Sequence, residues 1–250
     1  MRILTRFKRM AWWKKGLIAL AGLVILAGSA VVLVIAYSQS LSNSPDYIHR
    51  WFDDPASRAE LTTVQREPCP GAPFLLPSDG LIGLLWRDPA APYNLLRRHS
   101  GVDIFGDGEP GTVPVVAAYD GYLTRRPEWK STIIIRHDDP LQPGRIIWTY
   151  YTHMASRDGT QSFVADEFPP GTSEVWVEQG TLNGYKGENS GDSLFGIGLH
   201  VHFSIVKSNA DGRFLNESRA GNTLDPSPYL GMDVNIKGKP ARPIRCRAGS

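Results

Sequence analysis

The sequence predicts a mainly β fold, a compact domain of antiparallel sheets behind a single N-terminal transmembrane helix. Three observations carry this. Short β-branched or aromatic runs recur from residue 74 onward: "FLLP", "GLIGLLW", "VPVVAAYDGYL", "STIIIRH", "RIIWTYYTHM", "SEVWVEQG" and "LHVHFSIV". Clusters such as "GDGEPG", "DDPLQPG" and "PPGTS" separate them, with no alternating helical pattern to build parallel crossovers. One uncharged stretch, "GLIALAGLVILAGSAVVLVIAY", fills residues 16–37.

The elements follow in order. Residues 1–15 are basic: Arg2, Arg6, Lys8, Arg9, Lys14 and Lys15 precede the apolar stretch and no acid accompanies them. The 22 residues of 16–37 span roughly 33 Å as a helix, enough for a hydrocarbon core of ~30 Å. Cations before it and none just after predict a single-pass helix in the lipid bilayer of the cell (inner) membrane, with a cytoplasmic N-terminus. Trp12, Trp13 and Tyr37 flank it as interfacial aromatics do. A cleaved signal peptide is the competing reading, but such apolar cores usually run about 7–15 residues. Either way, the rest of the chain is extracytoplasmic, that is, periplasmic or outside the cell.

Residues 38–72 are polar and punctuated by Ser and Pro, which reads as a stalk with a short helix around 56–65. The β domain occupies residues 73–232, and 233–250 form a basic tail. In an oxidising compartment, Cys69 and Cys246 read as a disulfide rather than a metal pair, since no CxxC is present. Two unpaired thiols are the alternative.

Charge excludes one class of function. The overall formal charge of +2 hides six basic residues in 1–37, leaving 21 basic against 25 acidic residues afterwards. The exported part has no basic surplus to neutralise phosphates, so no nucleic-acid partner is expected.

The chemistry concentrates in histidines, of which the chain has six. If "LHVHFSIV" is a strand, His200 and His202 share one face, with Cα atoms roughly 7 Å apart, while Leu199, Val201 and Phe203 supply the core. Upstream, "RRHSGVD" sets His99 four residues before Asp103, and an extended segment brings both to one side. Imidazoles with a carboxylate suit zinc, whose catalytic sites keep about three protein ligands and one open position. His99, Asp103 and one histidine of the pair make that set, leaving the other to act on water. His153 closes a predicted strand, where Tyr151 is expected on its face. No HExxH motif supplies a glutamate base. His137 reads as a strand-end histidine beside a turn, His49 as solvated, and Tyr150 and Tyr151 as packing residues.

Together, "HSGVD", "YYTHM" and "GENSGDSLFGIGLHVHF", in that order, resemble the lysostaphin-type, LytM-like zinc peptidases, murein endopeptidases that hydrolyse peptide cross-links of peptidoglycan. The resemblance covers roughly residues 74–231. It implies zinc held by His99, Asp103 and His202, with His153 and His200 as the catalytic pair, in a compact set of antiparallel sheets crossed by a groove. Val201 and Ser204 stand where such enzymes commonly carry leucine and glutamate. The connection from 156 to 172 is longer than usual and is expected to wall the groove. The alternative within the resemblance is a catalytically silent or autoinhibited module that binds or regulates cell-wall hydrolases.

Overall fold

The computed structural model describes residues 12–189 and 197–248. Arg2, Arg6, Lys8 and Arg9 lie outside the described residues, as does 190–196 of the Gly/Ser run before the HxH pair.

The chain forms two units, residues 1–41 and 42–250. The first contains one helix, α1 (Trp12–Ser40), of 29 residues with a mean hydropathy of 2.8 in its most apolar window. By length and composition it is able to cross a membrane.

The second unit is built on antiparallel strands. Its principal sheet runs β1 (Leu81–Ile82), β2 (Val102–Phe105), β9 (His200–Lys207), β6 (Ile146–Thr152), β5 (Ile133–Asp138), β4 (Gly121–Thr124), β7 (Val175–Val177). β10 (Thr223–Leu224) pairs with the far half of β9, and β3 (Pro114–Val116) pairs with β8 (Leu182–Tyr185) in a separate ribbon. All named pairs are antiparallel. The predicted class therefore holds. "FLLP" contributes Phe74 and Leu76 to the core without forming a strand, and β8 and β10 come from stretches too short and polar to stand out.

Period-two alternation sorts the side chains of the sheet. Val201, Phe203 and Ile205 of β9 meet Ile133, Ile135, Ile147 and Tyr151 in a fully buried core. The other face carries His200, His202 and Ser204, then Tyr150, Trp148, Arg136, Tyr122 and Trp176 on successive strands.

The segment read as a stalk, 38–72, behaves differently from 42 onward. Helices α2 (Ser44–Asp53) and α3 (Arg58–Leu61) pack on the β domain. Trp51 and Leu61 are buried with Leu81 and Phe105. Ser44 Oγ donates to Asp88 (2.5 Å), and the buried Arg242 donates to Ser44 Oγ (3.0 Å) and to the carbonyls of Ile82 and Gly83 (2.7 Å each). The polar composition of the segment conceals these few anchors; Trp51 and Tyr47 cover β1 and the tail, so the stretch is part of the folded unit. The tail is tied down too: Cys246 is disulfide-bonded to Cys69, 177 residues apart in sequence. Closing so long a loop stabilises the fold by up to about 5 kcal/mol in the chain-entropy view.

His137 lies on the core side, 2% exposed, away from the groove. Its Nδ1–H donates to the Asp120 carbonyl (2.7 Å), and Nε2 accepts from Thr149 Oγ1 (2.7 Å). Burial pushes its pKa down to about 4, against smaller opposing effects of Asp120. A depressed folded-state value means that the unfolded chain binds more protons below pH 6.5. The stability it supports is present above pH 6.5 and is lost as pH falls towards 4, by about 3 kcal/mol. We expect the stability difference between wild type and His137→Gln, measured by urea unfolding, to shrink by about that amount from pH 7 to pH 4.

Candidate metal and catalytic site

β9 is the centre of the site because its two neighbours face its histidines directly. Asp103 of β2 stands opposite His202, and Thr152 of β6 stands on the other side. Cross-strand partners in this register have Cβ atoms about 5 Å apart, which delivers the Asp103 carboxylate to the imidazole: Oδ1 lies 2.7 Å from His202 Nδ1.

His99 arrives from the end of β2. The backbone bonds His99 N–H to Asp88 C=O (3.0 Å) and Arg87 N–H to His99 C=O (2.9 Å) fix its approach. Gly101, between His99 and Asp103, has a packing reason. A Cβ there would collide with the Phe203 carbonyl and lie 2.9 Å from His202 Nε2. Only glycine lets the two strands approach this closely.

The three donor atoms form a triangle. His99 Nε2 is 3.1 Å from Asp103 Oδ1 and 3.0 Å from His202 Nδ1, with the third edge at 2.7 Å. Zinc with N and O ligands near 2.05 Å in tetrahedral array would set these edges at about 3.3 Å. The triangle is slightly contracted and otherwise fits. The group His99, Asp103 and His202 can hold a metal ion, and all three residues are buried.

Hydrogen bonds choose the tautomers. A carbonyl only accepts, so the Nδ1 atoms of His99, His153 and His200 donate to the carbonyls of Leu85 (3.0 Å), Asn189 (2.6 Å) and Gly198 (2.7 Å). Each is left with an Nε2 lone pair. His202 is reversed: its Nε2–H donates to Glu217 Oε1 (2.9 Å), freeing Nδ1 for the triangle.

His153 and His200 face each other beside this triangle, with ring centroids 4.5 Å apart. His200 Nε2 is 3.9 Å from Asp103 Oδ1. His153 adopts a positive φ of 77°, uncommon for a residue with a side chain. That turn breaks the alternation of β6. Tyr151 consequently does not share the face of His153: it is in the core, its hydroxyl accepting from Ala118 N–H (2.9 Å). Tyr150 lines the groove instead.

The electrostatics follow from burial. Burial would raise the Asp103 pKa, but His99, His200 and His202 outweigh it and hold the carboxyl well below its usual range. Burial lowers His202, yet the carboxylates of Glu217 and Asp103 dominate and bring it up to about 10. Burial, then the neighbouring imidazoles, bring His153 down to about 3, and burial also lowers His200. Without a metal, then, His202 carries the cluster's positive charge, and a metal ion would displace that proton.

A groove of about 430 Å³ opens over the site, lined by Tyr93, Arg97, Thr132, Tyr150, His153, His202 and Glu217 among others. Among the described residues, none from 156–172 lines it. That connection was expected to wall the groove; Phe163, Val164, Ala165 and Phe168 join the core instead, because their apolar side chains outweigh the polar residues around them.

All five residues singled out in the sequence therefore meet at one place. Glu217 was not among them. It lies in the β9–β10 connection with no motif spacing, and its carboxylate also accepts from Ser100 Oγ. The His202 pair holds it down at about 2 despite burial. Ser204, on the same face of β9, offers no carboxylate, and its buried hydroxyl has no hydrogen-bond partner among the described residues. Loss of such a supporting partner typically weakens metal affinity 10–100-fold. We expect Glu217→Gln to weaken zinc binding by about that factor in competition with a chromophoric chelator, with an unchanged far-UV spectrum.

Solved structures that the chain resembles include the antimicrobial peptidase lysostaphin from Staphylococcus simulans (18% identity, 67% of this chain and 54% of that one, TM-score 0.37). A protein assigned as a glycyl-glycine endopeptidase lytM from Ruminococcus gnavus matches at 21% identity over 65% of this chain and 59% of its own, TM-score 0.39. A mutant catalytic domain of the prophage-encoded M23 protein EnpA from Enterococcus faecalis matches at 20% identity over 50% and 79%, TM-score 0.30. The matched region thus spans just over half of the first two structures. No family model and no curated protein matches the sequence.

Proposed function

We propose that this chain is a membrane-anchored, extracytoplasmic zinc metallopeptidase that hydrolyses peptide bonds, its substrate being the peptide cross-links of peptidoglycan. The observation that carries this reading is the donor triangle of His99, Asp103 and His202 with two further imidazoles at its open side. A structural histidine cluster would not need all four rings anchored through one nitrogen so that the other faces the site.

Zinc bound by the triangle would supply a Lewis acid and lower the pKa of a bound water to about 7. The chain's own residues do the rest. The peptide lies along the groove, and the low exposure of the site excludes bulk water around the scissile bond. The Nε2 atoms of His153 and His200 are the acceptors for the proton of the attacking water, and one of them returns it to the departing amine. His200 is the better acceptor, because Asp103 is close enough to support its charged form. His153, neutral at physiological pH, gives up a proton readily once it carries one. Tyr93 and Tyr150 border the same space and orient the substrate carbonyl.

Helix α1 is the anchor in this reading and confines hydrolysis to wall material near the bilayer. The test uses the full chain in lipid nanodiscs. About one zinc per chain, and release of peptide fragments of defined mass from wall preparations, support the enzyme. Absence of bound zinc with intact folding would assign the chain to the silent, regulatory class. Comparing walls with glycine bridges and walls with direct cross-links identifies the bond.

A further inference from the structure

The sheet face that holds the catalytic histidines continues outward from the groove. Trp148 of β6, Arg136 of β5, Tyr122 of β4 and Trp176 of β7 are direct cross-strand neighbours, one per strand. They form a row across the sheet, and its outer end is open: Trp176 is 53% exposed and Tyr122 38%. The Trp176 and Tyr122 rings meet edge to face, centroids 5.1 Å apart, so that each keeps a free surface. The Arg136 guanidinium covers Tyr122 at 4.6 Å from its centroid and is steered by Glu174, with Nε 2.9 Å from Oε2. A cavity of about 200 Å³ lies at this end, lined by both rings together with Arg136, Asp138, Asp120 and Tyr119.

Exposed ring faces interleaved with carboxylates and a guanidinium match one ligand chemistry in particular. A pyranose ring offers a face of C–H bonds, which carry partial positive charge and pack on the negative face of an aromatic ring. Its rim of hydroxyl and acetamido groups needs acceptors and donors at the edge, which Asp138, Asp120 and Arg136 supply. Other occupants suit the patch less. A stable interface with a second copy needs roughly 800 Å² on each side with few charges at its centre, and here charged groups interrupt the rings. The three acids Asp120, Asp138 and Glu174 disfavour an anionic lipid surface.

The spacing relates this patch to the groove. From His202 the row is four residues along β9 and three to four strands across, about 20–24 Å by standard strand geometry. An extended peptide of about six or seven residues spans that distance. We propose that the Trp176–Tyr122–Arg136 patch is a glycan subsite that holds a sugar ring of the wall strand while the peptide attached to that strand reaches the groove. This rests on the wall-peptidase reading for its purpose, though not for its detection.

The test titrates the full chain in nanodiscs with the soluble β-1,4-linked tetramer of N-acetylglucosamine, followed by calorimetry and tryptophan fluorescence. We expect saturable binding that weakens about tenfold or more in Trp176→Ala, is largely kept in Trp176→Phe, and falls in Arg136→Gln. Hydrolysis of a sugar-free cross-linked peptide by these variants should be unchanged, whereas digestion of intact walls should slow. Absence of saturable binding to the wild type, or equal binding to wild type and both Trp176→Ala and Arg136→Gln, overturns the proposal. So does a wild-type dimer that Trp176→Ala converts to monomer, because that assigns the patch to self-association. The tetramer has no peptide bond. Sugar binding without hydrolysis of any peptide would defeat the peptidase reading and leave the subsite standing; hydrolysis without sugar binding would do the reverse.

Discussion

Asp103→Ala is expected to purify without zinc. The substitution removes the one anionic corner of the donor triangle, so the loss of affinity should far exceed the 10–100-fold that an outer partner costs. It also takes from the charged His202 one of its two carboxylate partners, leaving Glu217. Removing one member of a buried charged pair typically costs about 3–5 kcal/mol. The metal-free variant should therefore unfold at lower urea than metal-free wild type. Asp103→Asn separates the two effects: it keeps the volume and some hydrogen bonding, so the stability loss should be smaller while zinc is still lost. Metal analysis and urea unfolding of the three proteins decide the point. Retention of stoichiometric zinc by Asp103→Ala would remove this residue from the ligand set.

His153→Ala and His200→Ala should behave in the opposite way, keeping zinc and losing turnover. General acid–base groups typically contribute about 10²–10⁴-fold, so each single variant should lose at least about 10²-fold in kcat. The rings stand 4.5 Å apart at centroids and would exchange a proton in one reaction. The double variant should accordingly lose much less than the product of the two single effects. Zinc content, measured beside kcat on purified cell wall, separates these variants from ligand loss. Full activity in His200→Ala would end its catalytic assignment.

Most of the site was legible because its signals are local. His200 and His202 are placed on one face by a two-residue period that any strand imposes, and His99 and Asp103 by a single short segment. The same period marks Val201, Phe203 and Ile205 as core. What was not legible depends on partners far away in the chain. Glu217 contacts His202 because the β9–β10 connection folds back over the sheet, and nothing in "FLNES" announces it. Trp51 and Ser44 looked like stalk residues because their burial is created by partners remote in sequence, Leu81 and Phe105 for Trp51, Asp88 and Arg242 for Ser44. Tyr151 was assigned to the wrong side because alternation assumes uniform extended backbone, and the positive φ of His153 violates that assumption.

The bond between Cys69 and Cys246 encloses every residue of the candidate site, from His99 to Glu217, inside one covalent ring. Ribosomes deliver the chain into a reducing cytosol, where such a ring stays open. A molecule kept there would hold the site residues by non-covalent forces alone, and the bond would close only in oxidising surroundings. On the proposed extracytoplasmic reading, stiffness of the candidate site would thus come only with arrival in that compartment.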